Sequence, residues 1–204
     1  MSTILLARHG ETVLKSSVRY WGHTDVELST LGIEQAERLR DLLATEKIDA
    51  IYSSDLKRAS TTAEIIASKH NMEVIICPEI REVCFGELEG LTFDEVKQRY
   101  PEVVKSWLEG GLDLQYPGGE SLAEVSERAS DFASRLRTLP AEQTTLIVAH
   151  SGFLRLLMCH LLGIGPQHWY QLNLDFASLS IIETHSQRAI LRSLNNTSHL
   201  GGLN

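Results

Sequence analysis

The chain has 204 residues, of which 43% are hydrophobic and 23% charged, and this length and balance predict one globular domain over residues 1–204. Lys and Arg number 19 against 27 Asp and Glu, so the net charge of −8 disfavours general binding to nucleic acids or anionic membranes, while allowing a small cationic site. The three cysteines form no C-x-x-C pair and no apolar stretch reaches the length of a membrane span, so a cytoplasmic protein with reduced thiols is expected.

Short apolar runs alternate with longer amphipathic stretches, which is typical of a sheet covered by helices. Residues 3–7 predict a first, buried strand. Thr30 is the predicted cap of a helix that extends to Leu43. Three elements follow in order: a strand at 50–53, a helix from Asp55 to about His70, and a strand at 73–77.

Residues 78–120 are rich in proline and glycine and predict a loop-rich subregion over the sheet, with short helices around 92–99 and 101–109. Ser121 and Glu124 form a capping box at the start of a long helix. The remaining elements are a strand at 144–149, a helix at 152–162 ended by Gly163, and a hairpin of 179–184 and 189–194 that turns at Ser186 and Gln187. Together they predict a three-layer α/β/α fold, with a mostly parallel central sheet, helices on both faces and a loop-rich helical subregion over the site.

Five polar residues follow the carboxyl ends of predicted strands. Arg8 and His9 follow the first, Arg58 lies in the helix after the second, Glu82 follows the third, and His150 follows the strand at 144–149. Because ligands of open α/β sheets bind at that edge, two guanidinium and two imidazole groups are expected to converge there. In an acidic chain this cluster indicates an anionic ligand, most simply a phosphate.

The segments that carry these residues resemble the motifs of the histidine phosphatase superfamily, which includes the cofactor-dependent phosphoglycerate mutases. The resemblance extends over nearly the whole chain, in the order of the family. The matching segments are LARHGET at 6–12, LSTLG at 28–32, SSDLKRA at 53–59, REVCFG at 81–86, PGGES at 117–121 and VAHSG at 148–152.

The resemblance implies a role for each residue. His9 would be the nucleophile that takes the phosphoryl group, while Arg8, Arg58 and His150 would line the phosphate pocket and stabilise the charge in transfer. Glu82 would protonate the departing alkoxide and then activate water. Two arginines and a histidine would supply the positive charge, so neither a metal nor a cofactor is expected. Three other carboxyl groups are alternatives for the proton donor: Glu87, Glu89 and Glu120.

One position departs from the family pattern. Lys15 stands where these proteins often have an asparagine that contacts phosphate. Either Lys15 supplies a further cation, or Ser16 and Ser17 contribute, or the contact is lost. The weaker candidates for substrate binding are Lys15, Trp21, Gly22 and Gly152.

The expected activity is metal-independent hydrolysis of a small phosphate ester through a phosphohistidine, with no nucleic-acid or membrane partner and with a homodimer left open. The stretch from Gly90 to Pro117 is shorter than the insertion that encloses the cofactor of mutases, and PGGES resembles the phosphatase branch, so a phosphatase is favoured over a mutase. A noncatalytic phosphate-binding module would keep the phosphate ligands but could discard His9 or Glu82. A metallohydrolase would need H-x-H or H-x-x-x-H pairs, which the eight histidines do not form.

The ending LNNTSHL, residues 194–200, resembles that of α-ribazole phosphatases, with Asn196 in place of an aspartate. Those enzymes dephosphorylate α-ribazole 5′-phosphate during assembly of the nucleotide loop of cobalamin. The resemblance therefore favours that substrate, with a broad-specificity or sugar-phosphate phosphatase as the alternative.

Overall fold

The computed structural model describes residues 1–14, 19–109, 112–185 and 188–203. Lys15, Ser16 and Ser17 lie outside the described residues, so the alternatives for the contact at position 15 stay predictions. The predicted turn at Ser186 and Gln187 also lies outside them.

A six-stranded sheet runs through the described residues in the order β3-β2-β4-β1-β5-β6. The strands β1 to β4 are mutually parallel, whereas β5 pairs antiparallel with β1, and β6 antiparallel with β5. The prediction of a mostly parallel sheet is confirmed. The bounds are β1 Ser2–Arg8, β2 Ala50–Ser53, β3 Val74–Ile76, β4 Thr144–Ala149, β5 Leu179–Thr184 and β6 Ala189–Asn196.

Helices cover both faces of this sheet. Successive side chains of β1, one of its two central strands, point to opposite faces, and each set packs in a separate core. Ile4 and Leu6 of β1 join the core beneath α5 and α6, whereas Leu5 and Ala7 join the core beneath α1 and α2. Both faces are therefore buried, and the predicted three-layer arrangement is confirmed. The helices are α1 Thr30–Leu43, α2 Lys57–Ala67, α3 Phe93–Arg99, α4 Pro101–Glu109, α5 Leu122–Arg137 and α6 Ser151–Leu162.

The predicted start of α1 is wrong by one residue. Ser29 is the capping residue, since its hydroxyl accepts the N–H of Gly32 at 3.0 Å, and Thr30 is the first helical residue. The capping box of α5 is confirmed, with Ser121 and Glu124 each accepting the backbone N–H of the other.

The helix α2 begins at Lys57, two residues after the predicted start, and ends at Ala67, before the predicted end near His70. The carboxylate of Asp55 does not cap it but pairs with the guanidinium of Arg81, whose Nε lies 2.7 Å from Oδ1. The N–H of Lys57 is instead accepted by Asp25, at 2.8 Å.

Residues 78–109 and 112–120 form the predicted loop-rich subregion, with α3, α4 and two short 3-10 turns at Pro78–Ile80 and Gly86–Leu88. A cluster of aromatic rings packs it against the chain near Tyr20. The ring centroid of Tyr20 lies 5.5 Å from that of Phe85 and 5.2 Å from that of Trp107. The ring centroids of Phe85 and Tyr116 are 5.1 Å apart. Such edge and tilted contacts stabilise the cluster beyond the burial of its surface.

Across the described residues, no helix combines the length and the apolar character needed to cross a membrane. The three cysteines are free; Cys77 and Cys159 are buried and Cys84 is partly so.

Candidate active site

The carboxyl edge of the sheet brings the five predicted site residues together. Arg8 ends β1 and His9 follows it, Arg58 lies in the first turn of α2, and His150 precedes α6. The imidazole rings of His9 and His150 have centroids 5.1 Å apart, and the Nε of Arg58 lies 3.2 Å from Nδ1 of His150. All of these except Arg8 are at most 8% exposed, including Glu82, and the site is therefore largely withdrawn from water.

The imidazole of His9 is held in one tautomer. Its Nδ1 lies 2.7 Å from the carbonyl oxygen of Gly10, which can only accept, so Nδ1 carries the hydrogen and Nε2 keeps its lone pair. Burial, followed by the charges of Arg58 and Arg8, holds the pKa of His9 well below its ordinary value. The ring is therefore neutral near pH 7 and presents Nε2 as a nucleophile.

The imidazole of His150 has the opposite tautomer. Its Nδ1 accepts from the Nε of Arg58, which is always a donor, so the hydrogen lies on Nε2. That Nε2 is buried without a partner among the described residues. Burial, followed by the charges of Arg58 and of His9, also lowers the pKa of His150 well below its ordinary value. His150 thus offers a neutral N–H donor to a ligand.

The two guanidinium groups are fixed by backbone carbonyls and an aromatic ring. Arg58 donates from Nη1 to the oxygen of Thr24 at 2.9 Å and from Nη2 to that of Gly22 at 2.6 Å. The Cζ of Arg8 lies 3.9 Å from the ring centre of Phe176. Burial lowers the pKa of Arg8 to about 10, which is still well above neutral pH, so Arg8 stays protonated there. Burial also lowers the pKa of Arg58.

Gly22 acts on Arg58 through its carbonyl. A Cβ at this position would collide with the carbonyl oxygen of Val83, so only glycine allows this close approach of the two loops. The structure gives Gly22 a contact with Arg58 rather than a place in the lining of the cavity.

The carboxylate of Glu82 lies against the N-terminus of α6. Its Oε2 accepts the N–H of Gly152 at 3.1 Å, and its Oε1 accepts those of Phe153 at 3.2 Å and Val83 at 3.0 Å. A Cβ on Gly152 would lie 2.5 Å from Oε1 of Glu82. Gly152 therefore gives room to this carboxylate, whereas the sequence analysis expected it to contact the substrate.

Glu82 also differs from the alternative carboxyl groups by lining the cavity of the site. The other three have partners elsewhere: Glu87 the hydroxyl of Tyr100 at 2.8 Å, Glu89 the backbone N–H of Thr24 at 2.7 Å, and Glu120 the guanidinium of Arg128 at 2.9 Å. This geometry favours Glu82 among the four.

A cavity of about 130 Å³ lies over these groups. Its lining includes the hydroxyl of Thr12, which is buried without a partner among the described residues. Trp21, one of the weaker candidates of the sequence analysis, also lines the cavity. The lining residues are Arg8, His9, Thr12, Arg19, Tyr20, Trp21, Arg58, Glu82 and Phe85.

Arg128 of α5 is a site residue that the sequence analysis missed. Besides its ion pair with Glu120, it donates to the carbonyl oxygens of Glu79 at 3.0 Å, Arg81 at 2.7 Å and Glu82 at 3.0 Å. It therefore fixes the backbone of the loop that carries Glu82. On sequence grounds an arginine on an amphipathic helix resembles a solvated charge, and this position carried no other signal.

Four lining residues were also missed: Thr12, Arg19, Tyr20 and Phe85. Thr12 and Phe85 lie inside the matched motifs, so their place in those segments was an available signal. Arg19 pairs with Glu95 at 3.1 Å. No group of three or more His, Cys, Asp or Glu residues in the described part of the chain is arranged to hold a metal ion.

The chain is similar to known proteins over nearly its whole length. Residues 4–197 match the Histidine phosphatase superfamily (branch 1). Phosphoserine phosphatase 1 of Hydrogenobacter thermophilus is 37% identical over 98% of this chain and 95% of that protein. The adenosylcobalamin/alpha-ribazole phosphatase of Escherichia coli strain K12 is 32% identical over 94% of each. The crystal structure of the alpha-ribazole phosphatase from Shigella flexneri superposes with a TM-score of 0.87 at 32% identity, over 95% of this chain and 96% of that one.

Proposed function

Since the chain belongs to the histidine phosphatase superfamily and is a phosphoric monoester hydrolase, we propose that it works through a phosphohistidine on His9, without a metal. The observation that carries the proposal is the hydrogen bond from Nδ1 of His9 to the carbonyl of Gly10, which leaves Nε2 free to attack. Arg8, Arg58 and the N–H of His150 surround that nitrogen with donors. This is the charge distribution that phosphoryl transfer requires.

In the first step Nε2 of His9 forms a bond to phosphorus while the ester P–O bond breaks. The electron pair of that bond goes to the leaving oxygen, which takes its proton from Glu82. The three backbone N–H donors fix the carboxyl group of Glu82.

In the second step a water molecule attacks phosphorus and the P–N bond breaks. Glu82, now ionised, takes the proton of that water, and His9 returns to its neutral form as inorganic phosphate is released. Arg8 and Arg58 stabilise the charge on the phosphoryl oxygens in both steps.

The test of this chemistry is the fate of phosphate in His9→Ala. We expect turnover of p-nitrophenyl phosphate to be lost, because no other side chain offers Nε2 in that place, while wild-type enzyme quenched with denaturant at alkaline pH retains an acid-labile, base-stable phosphoryl group. His168→Ala is the matched control, since His168 contacts Gln171 and does not line the cavity. Undiminished turnover by His9→Ala would end the proposal.

The proposed substrate is α-ribazole 5′-phosphate, used in assembly of the nucleotide loop of cobalamin. Tyr20, Trp21 and Phe85 give the lining of the cavity an aromatic part, which suits the flat base of that ester. Phosphoserine would bring a carboxylate and an ammonium group, and Arg19, a lining cation that could meet that carboxylate, already pairs with Glu95. The relative named phosphoserine phosphatase makes phosphoserine the competitor to test.

A substrate panel with purified protein decides between these esters. We expect kcat/KM to be highest for α-ribazole 5′-phosphate, above phosphoserine, phosphoglycerates and sugar phosphates. Trp21→Ala should lower kcat/KM for the α-ribazole ester by about tenfold, as the loss of a base–aromatic stack predicts, and leave that for glycerol phosphate nearly unchanged. A higher kcat/KM for phosphoserine would replace the proposed substrate.

We also propose that residues 1–204 form one domain, which acts in the cytoplasm on a small molecule. Sedimentation of the purified protein distinguishes a monomer from a homodimer.

A further inference from the structure

The LNNTSHL ending does not line the cavity but contacts the loop behind it, residues 174–178. Asn195 makes two hydrogen bonds with Asp175 of that loop. Its Oδ1 accepts the backbone N–H of Asp175 at 2.7 Å, and its Nδ2 donates to the carboxylate at 2.7 Å. Asn195 itself has φ +53°, a conformation that asparagine adopts more readily than most residues.

His199 makes a second contact with the same loop. Its Nε2 lies 3.0 Å from the carbonyl oxygen of Ala177, which can only accept, so Nε2 is the donor. Ala177 is fully buried and has φ +50°, a strained conformation for alanine that persists only when its surroundings hold it. Its N–H in turn donates to the carbonyl of His9 at 3.1 Å.

The loop held in this way supports both Arg8 and His9. The carbonyl of Leu174 accepts from Nη1 of Arg8 at 2.7 Å, and the carbonyl of Ser178 accepts the backbone N–H of Arg8 at 3.2 Å. The ring of Phe176 lies 3.9 Å from the guanidinium carbon of Arg8 and 5.7 Å from the ring of His9, measured to its centre. The nucleophile and one phosphate ligand therefore share a single support.

The segment after the motif is linked through Gln35 to Glu11, two residues after His9 in the chain. The carbonyl of Leu203 accepts from Nε2 of Gln35, at 3.0 Å, and Oε1 of Gln35 accepts the N–H of Glu11, at 2.9 Å. Gln35 is 3% exposed, so this bridge is shielded from water.

We propose that Asn195 and His199 are positioning residues that hold the loop 174–178 and, through it, the side chains of Arg8 and His9. The LNNTSHL ending then serves binding of the phosphoryl group, which every ester shares, and does not select the leaving group. This inference rests on the proposed role of His9.

The test measures binding of the phosphoryl group apart from catalysis. Orthovanadate affinity is determined by calorimetry, well below the melting temperature, for wild type, Asn195→Ala, His199→Ala and His199→Gln. The same variants are assayed for kcat and KM with p-nitrophenyl phosphate, α-ribazole 5′-phosphate and phosphoserine. Asn196→Ala is the matched control, since the Oδ1 of Asn196 accepts only the N–H of Ser198 among the described residues.

We expect Asn195→Ala and His199→Ala to weaken vanadate binding at least about tenfold and to lower kcat/KM by one common factor for every ester, because a displaced ligand costs all of them equally. His199→Gln, which keeps an N–H donor, should recover most of the affinity, and Asn196→Ala should match wild type. A role in stability alone would lower the melting temperature and leave the vanadate affinity of the folded variants unchanged, which would overturn the inference.

A loss confined to α-ribazole 5′-phosphate would also overturn it, since the ending would then select the leaving group. Failure of the proposed function gives a different result. In that case wild-type enzyme would show no phosphohistidine or His9→Ala would keep its turnover, whatever the C-terminal variants do.

Discussion

His9 and His150 are both neutral and buried, yet they present different atoms to a ligand because their Nδ1 atoms have opposite partners. A carbonyl at Nδ1 leaves His9 with a lone pair on Nε2, whereas a guanidinium at Nδ1 leaves His150 with an N–H there. One residue type thus offers a lone pair in one place and an N–H donor in the other, which are the two functions that the proposed mechanism needs.

Among the proposed catalytic groups, the contribution of Glu82 depends most on the leaving group of the ester. Glu82→Gln should cripple esters with alkoxide leaving groups, which need a proton, and should spare the burst of nitrophenolate from p-nitrophenyl phosphate, whose phenolate leaves with little help. Steady-state turnover can still fall, since Glu82 is also the proposed base that activates water. Rapid-mixing measurement of phosphohistidine formation separates the two steps.

Equal slowing of phosphorylation with both kinds of ester would contradict the acid role. Glu87, Glu89 and Glu120 would then be the next candidates for the proton donor.

Motif spacing in the sequence selects the candidate reacting groups, but the tautomer of His150 and the backbone position of Glu82 depend on partners far away in the chain. The segment RHG identifies His9 as the nucleophile candidate, and the neighbouring Gly10 carbonyl then fixes its tautomer. The tautomer of His150 is set by Arg58, and the backbone at Glu82 is held by Arg128. No local sequence pattern predicts either contact.

At the scale of the elements, the start of α6 holds the carboxylate of Glu82, the proposed proton donor. Gly152→Ala would place a methyl group 2.5 Å from Oε1 of Glu82 and so displace the carboxylate. We expect kcat/KM to fall more for alkyl esters than for p-nitrophenyl phosphate, as for Glu82→Gln. The measurement is the ratio of the two kcat/KM values in each variant.

The control for Gly152→Ala is thermal unfolding. Alanine favours a helix over glycine by roughly 1 kcal/mol, so an intact melting transition would show that the loss comes from the position of Glu82 and not from a weakened α6. An unchanged ratio of kcat/KM would contradict this use of Gly152.

Hydrophobic periodicity was sufficient to predict the strands and most helices, because burial on both faces of β1 and β4 leaves few polar residues in them. It failed at the start of α2. Asp55 there is a residue type that often caps helices. Its carboxylate instead accepts a hydrogen bond from Arg81, which follows β3 in the chain. Competition of this kind is decided by tertiary contacts and is not visible in a local window.

For the whole molecule, two buried neutral histidines make stability depend on pH. The pKa of His9 and of His150 lies well below 6.5 in the folded state and near 6.5 in the unfolded state. Below pH 6.5 the unfolded chain therefore binds more protons, and the free energy of unfolding falls as pH is lowered. The slope is at most about 1.4 kcal/mol per pH unit for each histidine.

Urea unfolding between pH 7.5 and 5 measures that slope. His150→Gln, which has no proton to bind, should make it shallower, while His168→Gln should leave it unchanged. A slope in His150→Gln as steep as in wild type would assign the acid sensitivity to other groups.

The place of β1 at the centre of the sheet has a consequence for how the chain is made. Thr3 of β1 pairs with Thr144 of β4 on one side and with Glu183 of β5 on the other, so neither neighbour exists until well over a hundred residues have followed. At 5–20 residues per second a ribosome needs on the order of ten seconds to supply them. During that interval β1 has no strand to pair with, and its apolar side chains, Ile4 to Ala7, have no core to pack in. The nascent chain is therefore most exposed to aggregation, and most in need of a chaperone, before β4 has emerged.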